Sequence, residues 1–252
     1  MLLTLLGGLA VAGTATAAGY NTMSPTSQLY GQTFIGLPRG SRLLALTYDD
    51  GPNDPYTWQV MEVLERQRVK ATFFLIGQFV QKKPEIARAL VEAGHEIGSH
   101  TWSHPNLIFC STAEVQRQLA VAQEAIFDAT GVTPKLFRPP FGARRPATLR
   151  TVRAFGLLPI MWNVTCYDWK ARSVEQIVAH AERQIRGGDV ILLHDGGHGR
   201  MGANRSRTVE ASQSILTRYK GKGYEFLTVQ QMVQRAGSSD SEVMSQTARA
   251  LK

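Results

Sequence analysis

Between Arg42 and Val233, short apolar runs alternate with amphipathic segments along the whole chain. "LLALTY" (43–48) is apolar and predicts a strand. Asp54-Pro55 then offers an N-cap and a proline at the first helical position, which predicts a helix to about Gln67. "ATFFLIG" (71–77) predicts a second strand, and Pro84 opens a helix that ends at Gly94. A short third strand lies in "HEIGSH" (95–100). Ser111 and Glu114 have capping-box spacing, so a long helix should run to about Thr130 and stop at Gly131. "KLFRPP" (135–140) is a fourth strand, followed by a helix from Pro146 to Phe155. "LLPIMWNV" (157–164) is a fifth strand, and Ser173 with Gln176 caps the next helix, ending near Gly187-Gly188. "DVILLHD" (189–195) and "YEFLTV" (224–229) are the sixth and seventh strands. A helix over about 206–220 lies between them, and a short helix through Val233 follows.

Strand then helix, repeated seven times with connections too long for hairpins, requires parallel pairing through right-handed crossovers. No glycine-rich GxGxxG or Walker loop follows any strand, which argues against a nucleotide-binding open sheet. The α/β fold expected is a (β/α) barrel, incomplete at seven units rather than eight. No internal domain boundary is visible after residue 41.

Composition narrows the picture. The chain has 252 residues, 43% of them hydrophobic, enough for one large core. Its formal charge is +8, from 28 Lys+Arg against 20 Asp+Glu. Those basic residues are scattered without interleaved aromatics, so no nucleic acid is expected as a partner. An anionic wall polymer suits the charge slightly better than a neutral one. Residues 2–19 carry no charge and include a small-residue "ATA" at 15–17, which reads as a signal peptide or membrane anchor. The organisation expected is a leader over 1–19, a connector over 20–40, a catalytic domain over 41–236 and a tail over 237–252. Cys110 and Cys166 fit either a disulfide or two free thiols.

The polar exceptions fall at strand ends. Asp49 and Asp50 close the first strand, His100 the third with His104 four residues on, Arg138 the fourth, and His194 the sixth. Asp168 lies in the loop that leaves the fifth. In a parallel barrel those ends share one face, where active sites are built. Two histidines and a carboxylate can hold a divalent metal while leaving coordination positions open. On one helical turn, the i, i+4 spacing of "SHTWSH" would aim both imidazoles at a single ion. One of the paired carboxylates can then be a ligand and the other a free base, with the cation and Arg138 offsetting their repulsion. Spacing leaves open which Asp does which.

Taken in order, "TYDDGP", "SHTWSH", "RPPFG", "YDW" and "LLH" resemble the polysaccharide deacetylases of carbohydrate esterase family 4, over roughly Ser41 to Val233. The resemblance implies a distorted, incomplete (β/α)7 barrel and removal of N-acetyl or O-acetyl groups from chitin- or peptidoglycan-like polymers. It implies Asp49 as general base, with Asp50, His100 and His104 binding a metal, usually zinc, with Co2+, Ni2+, Mn2+ or Fe2+ as alternatives. Arg138 would orient Asp49, and the Phe141 N–H would bind the oxyanion where many relatives have Tyr. Asp168 would raise the pKa of the general acid His194. Trp169 and Leu192 would line the acetyl pocket, and Trp162 would pack against the barrel. Thr165 and Cys166 depart from the small or acidic residues common there, which puts the shape of that wall in question. Tyr48 replaces the commoner Phe.

The activity expected is hydrolysis of a linear amide in an extracellular or cell-wall glycan polymer. A periplasmic, extracellular or membrane-anchored monomer is the expected form, with any anchoring through residues 2–19. Competing readings are a deacetylase or amidase of small substrates, a metallophosphoesterase, and a non-catalytic glycan-binding domain on the same fold. A binding module has no need of both an acid and a base, and a two-metal phosphoesterase wants more carboxylates. Remaining histidines, His95, His180 and His198, are expected to be structural or on the surface, and Asp195 to hydrogen-bond backbone in its loop.

Overall fold

A computed structural model of the chain describes residues 19–237. The leader before residue 19 and the tail beyond 237 therefore lie outside the described residues. Strand β1 (Leu43–Gly51) runs through the middle of the sheet, almost wholly buried. It pairs in parallel with β2 (Thr72–Leu75) on one side and β7 (Asp189–His194) on the other. Beyond β2 come β3 (Glu96–Ser99), β4 (Leu136–Phe137) and β5 (Leu158–Pro159), while β6 (Val164–Thr165) lies beyond β7. Strand β8 (Glu225–Phe226) pairs with the first residues of β1. Every ladder between these strands is parallel, as the strand-helix alternation predicts.

Burial on both faces explains why the strands read as continuous apolar runs. The two-residue period of β1 sends Leu44, Leu46 and Tyr48 outward into the main core. Ala45 faces the other way, in a second cluster with Phe74, Val190 and Leu192, and by the same period Thr47 and Asp49 lie on that inner face. Helices α1 (Tyr56–Arg66), α2 (Gly77–Lys82), α3 (Pro84–Glu92), α4 (Thr112–Thr130), α5 (Pro146–Ala154), α6 (Val174–Gln184) and α7 (Ser206–Gly221) follow in chain order, with a last helix over 229–237. Ser111 Oγ accepts the Glu114 N–H at 3.1 Å, and Gly131 ends α4 in the left-handed conformation. At the start of α6 the Gln176 N–H reaches Ser173 Oγ at 3.4 Å.

Two local expectations need correction, and one helix was not foreseen. Asp54 does not cap α1, which begins at Tyr56 without a side-chain cap; its carboxylate pairs instead with Lys83 at 3.1 Å. Helix α2 was not legible, because six residues hold too little of an amphipathic period. The expected fifth strand is two strands at opposite edges of the sheet, β5 and β6, and Pro159, which has no amide to donate, sits on the edge strand β5. Residues 160–163 cross the open seam between those edges, and this is where the barrel is incomplete.

Residues 34–37 lie along the seam. Phe34 N–H donates to Pro159 O at 3.0 Å, Met161 N–H to Phe34 O at 2.8 Å, and Leu37 N–H to Gly188 O at 2.7 Å. Gly187 and Gly188, at φ 87° and 83°, let this segment pass, because a side chain at either would strike the backbone of residues 37–41. Cys110 and Cys166 are both free thiols, and Cys166 is fully buried.

Candidate active site

A cavity of about 660 Å³ opens at the carboxyl ends of the strands. The β1–β7 register places Asp49 beside His194. Asp49 points into the barrel, where Arg138 Nη1 donates to its Oδ1 at 2.7 Å and to Thr47 Oγ1 at 2.7 Å. Arg138 follows β4 and is fully buried, its guanidinium 4.1 Å from the Phe74 ring centroid and 5.4 Å from that of Trp162.

Asp50 turns out of the strand with φ 72°. Its carbonyl oxygen lies where a side chain at residue 196 would stand, so only glycine fits there. Its Oδ1 lies 3.3 Å from His104 Nε2 and 3.6 Å from His100 Nε2. His100 Nδ1 sits 2.7 Å from Arg138 O, and as donor to that carbonyl it presents a bare Nε2 to Asp50. His104 reaches the site differently from the sequence expectation. No helical turn carries the pair; Thr101 (φ 69°) and His104 (φ 57°) are left-handed, and Thr101 Oγ1 accepts the His104 N–H at 3.0 Å.

Asp50, His100 and His104 form a group whose candidate ligand atoms all lie within 4.8 Å of one another. Asp50 Oδ1 and His104 Nδ1 are buried and lack a hydrogen-bond partner. Burial first, joined for His104 by the His100 charge, lowers the imidazoles to about 4 for His100 and about 3 for His104, so both are neutral at neutral pH, the form in which an imidazole can coordinate a metal. A buried, unpaired carboxylate oxygen among neutral imidazoles fits a divalent cation.

The adjacent carboxyls behave differently. Burial raises Asp49, and Arg138 does not reverse that. For Asp50 burial also acts upward, yet the His198 contact and the charges of His194, His104 and His100 prevail and hold it well below the carboxylate range. At Asp49 complete burial outweighs the lowering by the Arg138 guanidinium.

Asp168, in the loop after β6, accepts the backbone N–H of His194 at 2.8 Å through Oδ2 and lies 2.9 Å from its Nδ1 through Oδ1. Thr208 on α7 donates to the same carboxylate at 2.9 Å. Burial works against charge on His194, but Asp168, with Asp50 and Asp49 behind it, raises it from 6.5 to about 9. Phe141 (φ 59°) packs its ring edge against His104 at 4.6 Å, and Trp169 packs against His194 at 5.0 Å. Leu192 and Trp162 also line the cavity. Thr165 accepts the Trp162 indole N–H at 2.9 Å, so this departure fixes the wall it belongs to. Tyr48 differs from Phe by a hydroxyl that donates to Ser212 on α7 at 2.8 Å.

One histidine expected on the surface belongs here. His198 stacks on His104 at 4.7 Å, its backbone N–H donates to Asp50 Oδ2 at 3.2 Å, and its ring lines the cavity. It lies in a glycine-rich loop with no periodicity, and only its place four residues after His194 could have signalled it. Asp195, expected to bond backbone in its loop, takes the Thr57 hydroxyl through Oδ2 and lies against Gly51.

Residues 37–160 match the family described as polysaccharide deacetylase. A chitooligosaccharide deacetylase of a Bradyrhizobium strain is 37% identical over 200 residues, covering 77% of this chain and 91% of that one. The chain belongs to the polysaccharide deacetylase family. The peptidoglycan-N-acetylglucosamine deacetylase PgdA of Listeria monocytogenes is 36% identical over 192 residues, which cover 76% of this chain but only 39% of the relative's length. Among solved structures, the Bc1960 peptidoglycan N-acetylglucosamine deacetylase superposes with a TM-score of 0.73 at 34% identity, covering 79% of this chain and 91% of that one. The curled parallel sheet with an open seam is thus the incomplete (β/α)7 barrel of the polysaccharide deacetylases.

Proposed function

We propose that this chain is an exported, metal-dependent deacetylase that removes N-acetyl groups from a glycan polymer of the peptidoglycan or chitin type. The observation that carries this is the meeting, in one cavity, of an Asp-His-His group, a buried carboxylate beside it and a histidine backed by a second carboxylate. The uncharged stretch at 2–19 supports export, and no helix among the described residues is long and apolar enough to cross a membrane.

Asp50, His100 and His104 would hold the cation, with zinc the best match to two imidazoles and a carboxylate. When bound, such an ion supplies Lewis-acid polarisation and lowers the pKa of water. Asp49 takes the proton from the attacking water, its raised pKa making it a stronger base than an ordinary aspartate. Arg138 holds that carboxylate in place. The Phe141 N–H donates to the acetyl oxygen as negative charge develops there. His194, bonded to Asp168 through Nδ1, keeps Nε2 free to protonate the departing sugar nitrogen. The carbon–nitrogen bond breaks, the amine stays on the sugar, and acetate leaves. Leu192 and Trp169 enclose the methyl group.

Acetate release from N-acetylglucosamine oligomers, peptidoglycan and acetylated xylan tests the reading, with and without chelator and beside the Asp49→Asn variant. Chelator-sensitive, Asp49-dependent acetate from one of them supports it and names the polymer. Metal-loaded protein that releases acetate from none would instead favour glycan binding or a small-substrate role.

A further inference from the structure

Arg144 is a cation only 1% exposed, and among the described residues it has no carboxylate partner. A buried charge persists only where dipoles replace water. Here three carbonyl oxygens do so: Nη1 donates to Gly142 O at 2.9 Å, and Nη2 to Ser24 O and Ser27 O at 2.7 Å each. The backbone closes the clamp, since the Arg144 N–H donates to Thr22 O at 3.2 Å. One guanidinium therefore binds the segment over 22–27 to the loop that carries Phe141.

The clamp places Met23 on the cavity wall. Among the described residues, three of the exposed large apolar side chains line this one cavity: Met23 at 47%, Phe141 at 44% and Trp169 at 46%. Isolated exposed apolar residues are ordinary, but three converging on a catalytic mouth form a surface for an apolar ligand face. A pyranose ring has such a face, and an unbranched thioether adapts to it.

We propose that Met23 contacts the glycan and that Arg144 is the positioning residue that holds it there, so residues 22–27 form a wall of the substrate site. This rests on the deacetylase reading above. The wall meets sugar rings rather than the acetyl group, so it favours an oligosaccharide over a small acetyl ester.

The test uses the full, zinc-loaded chain with Met23→Ala, Met23→Leu and Arg144→Lys. Calorimetry measures the Kd of the N-acetylglucosamine tetramer, and kinetics compare KM for the tetramer with KM for 4-nitrophenyl acetate. Met23→Ala should weaken tetramer binding roughly four- to fifteenfold, the effect of losing about one buried methylene or two. The change in KM should be larger for the tetramer than for the ester, and Met23→Leu should restore most of it. In Arg144→Lys, hydrogen exchange of amides 20–31 should rise and tetramer affinity fall with metal content unchanged. Equal effects on tetramer and ester, an unchanged tetramer Kd in Met23→Ala, or unaltered exchange in Arg144→Lys would each overturn the proposal. So would failure of the wild-type chain to bind the tetramer or peptidoglycan fragments. Tetramer binding without acetate release would sink the deacetylase reading instead, while the affinities would still decide the wall.

Discussion

Arg138 Nη1 and Asp49 Oδ1 lie 2.7 Å apart with both side chains shut off from solvent, 0% and 5% exposed. The pair works as a unit, because neither charge has water to fall back on. Replacing Arg138 with Met keeps much of the volume but leaves Asp49 buried beside Asp50 without its hydrogen-bonded guanidinium. Breaking such a pair costs about 3–5 kcal/mol. Urea denaturation of Arg138→Met should show a loss of that size, and a loss below about 1 kcal/mol would mean that the site relaxes to admit water.

Asp49→Asn keeps the shape and leaves Asp50, His100 and His104 untouched. On the proposed roles, the base disappears while the ligands stay. Turnover should fall roughly a hundredfold to ten-thousandfold, the range for general-base catalysis, with metal content by elemental analysis unchanged. Normal turnover would move the base elsewhere.

His104→Ala should behave in the opposite way. Its Nε2 lies 3.3 Å from Asp50 Oδ1, nearer than His100 Nε2 at 3.6 Å, and its loss takes one of three candidate ligands. Metal and acetate release should disappear together, and excess metal should restore part of both. Stoichiometric metal retained after dialysis would remove His104 from the ligand set.

The barrel and most of this centre were legible because strand-end polar residues in a parallel sheet must share a face. Asp49, Asp50, His100, Arg138 and His194 all sit at or just beyond a strand end. What period and punctuation do not encode was not legible. His104 is delivered by left-handed backbone rather than a helix, and His198 by a loop whose path is set by tertiary contact. Residues 20–40 read as a connector because their bonds to Pro159, Gly188 and Arg144 run to distant parts of the chain. No local pattern reports such long-range carbonyl contacts.

Gly196→Ala tests whether the loop after β7 sets Asp50. A Cβ there would overlap the Asp50 carbonyl oxygen, which is backbone and has no rotamer to escape into. Overpacking of this kind costs about 1–3 kcal/mol. The carboxylate at φ 72° should shift as well, so metal affinity should fall along with the thermal midpoint. A midpoint that drops with metal affinity intact would confine the effect to packing.

Asp168→Asn should change the pH profile before anything else. His194 must be protonated to act as the acid, so activity is present below its pKa and falls as pH rises through it. That value is about 9 instead of the ordinary 6.5, and after burial, which opposes it, Asp168 is the foremost cause. An asparagine keeps a hydrogen-bond acceptor for Nδ1 but removes the negative charge. The alkaline limb of kcat/KM should therefore move downward toward or below 6.5. A bound cation lowers the limb in both proteins, so the difference between them carries the test. Stability should follow the same sign. A raised folded-state pKa stabilises the wild-type chain below pH 6.5, and that contribution is lost as pH rises through about 9. In Asp168→Asn the loss should vanish from that window. If both proteins kept one alkaline limb, the titrating group would not be His194, and the acid would have to be sought elsewhere on the cavity wall.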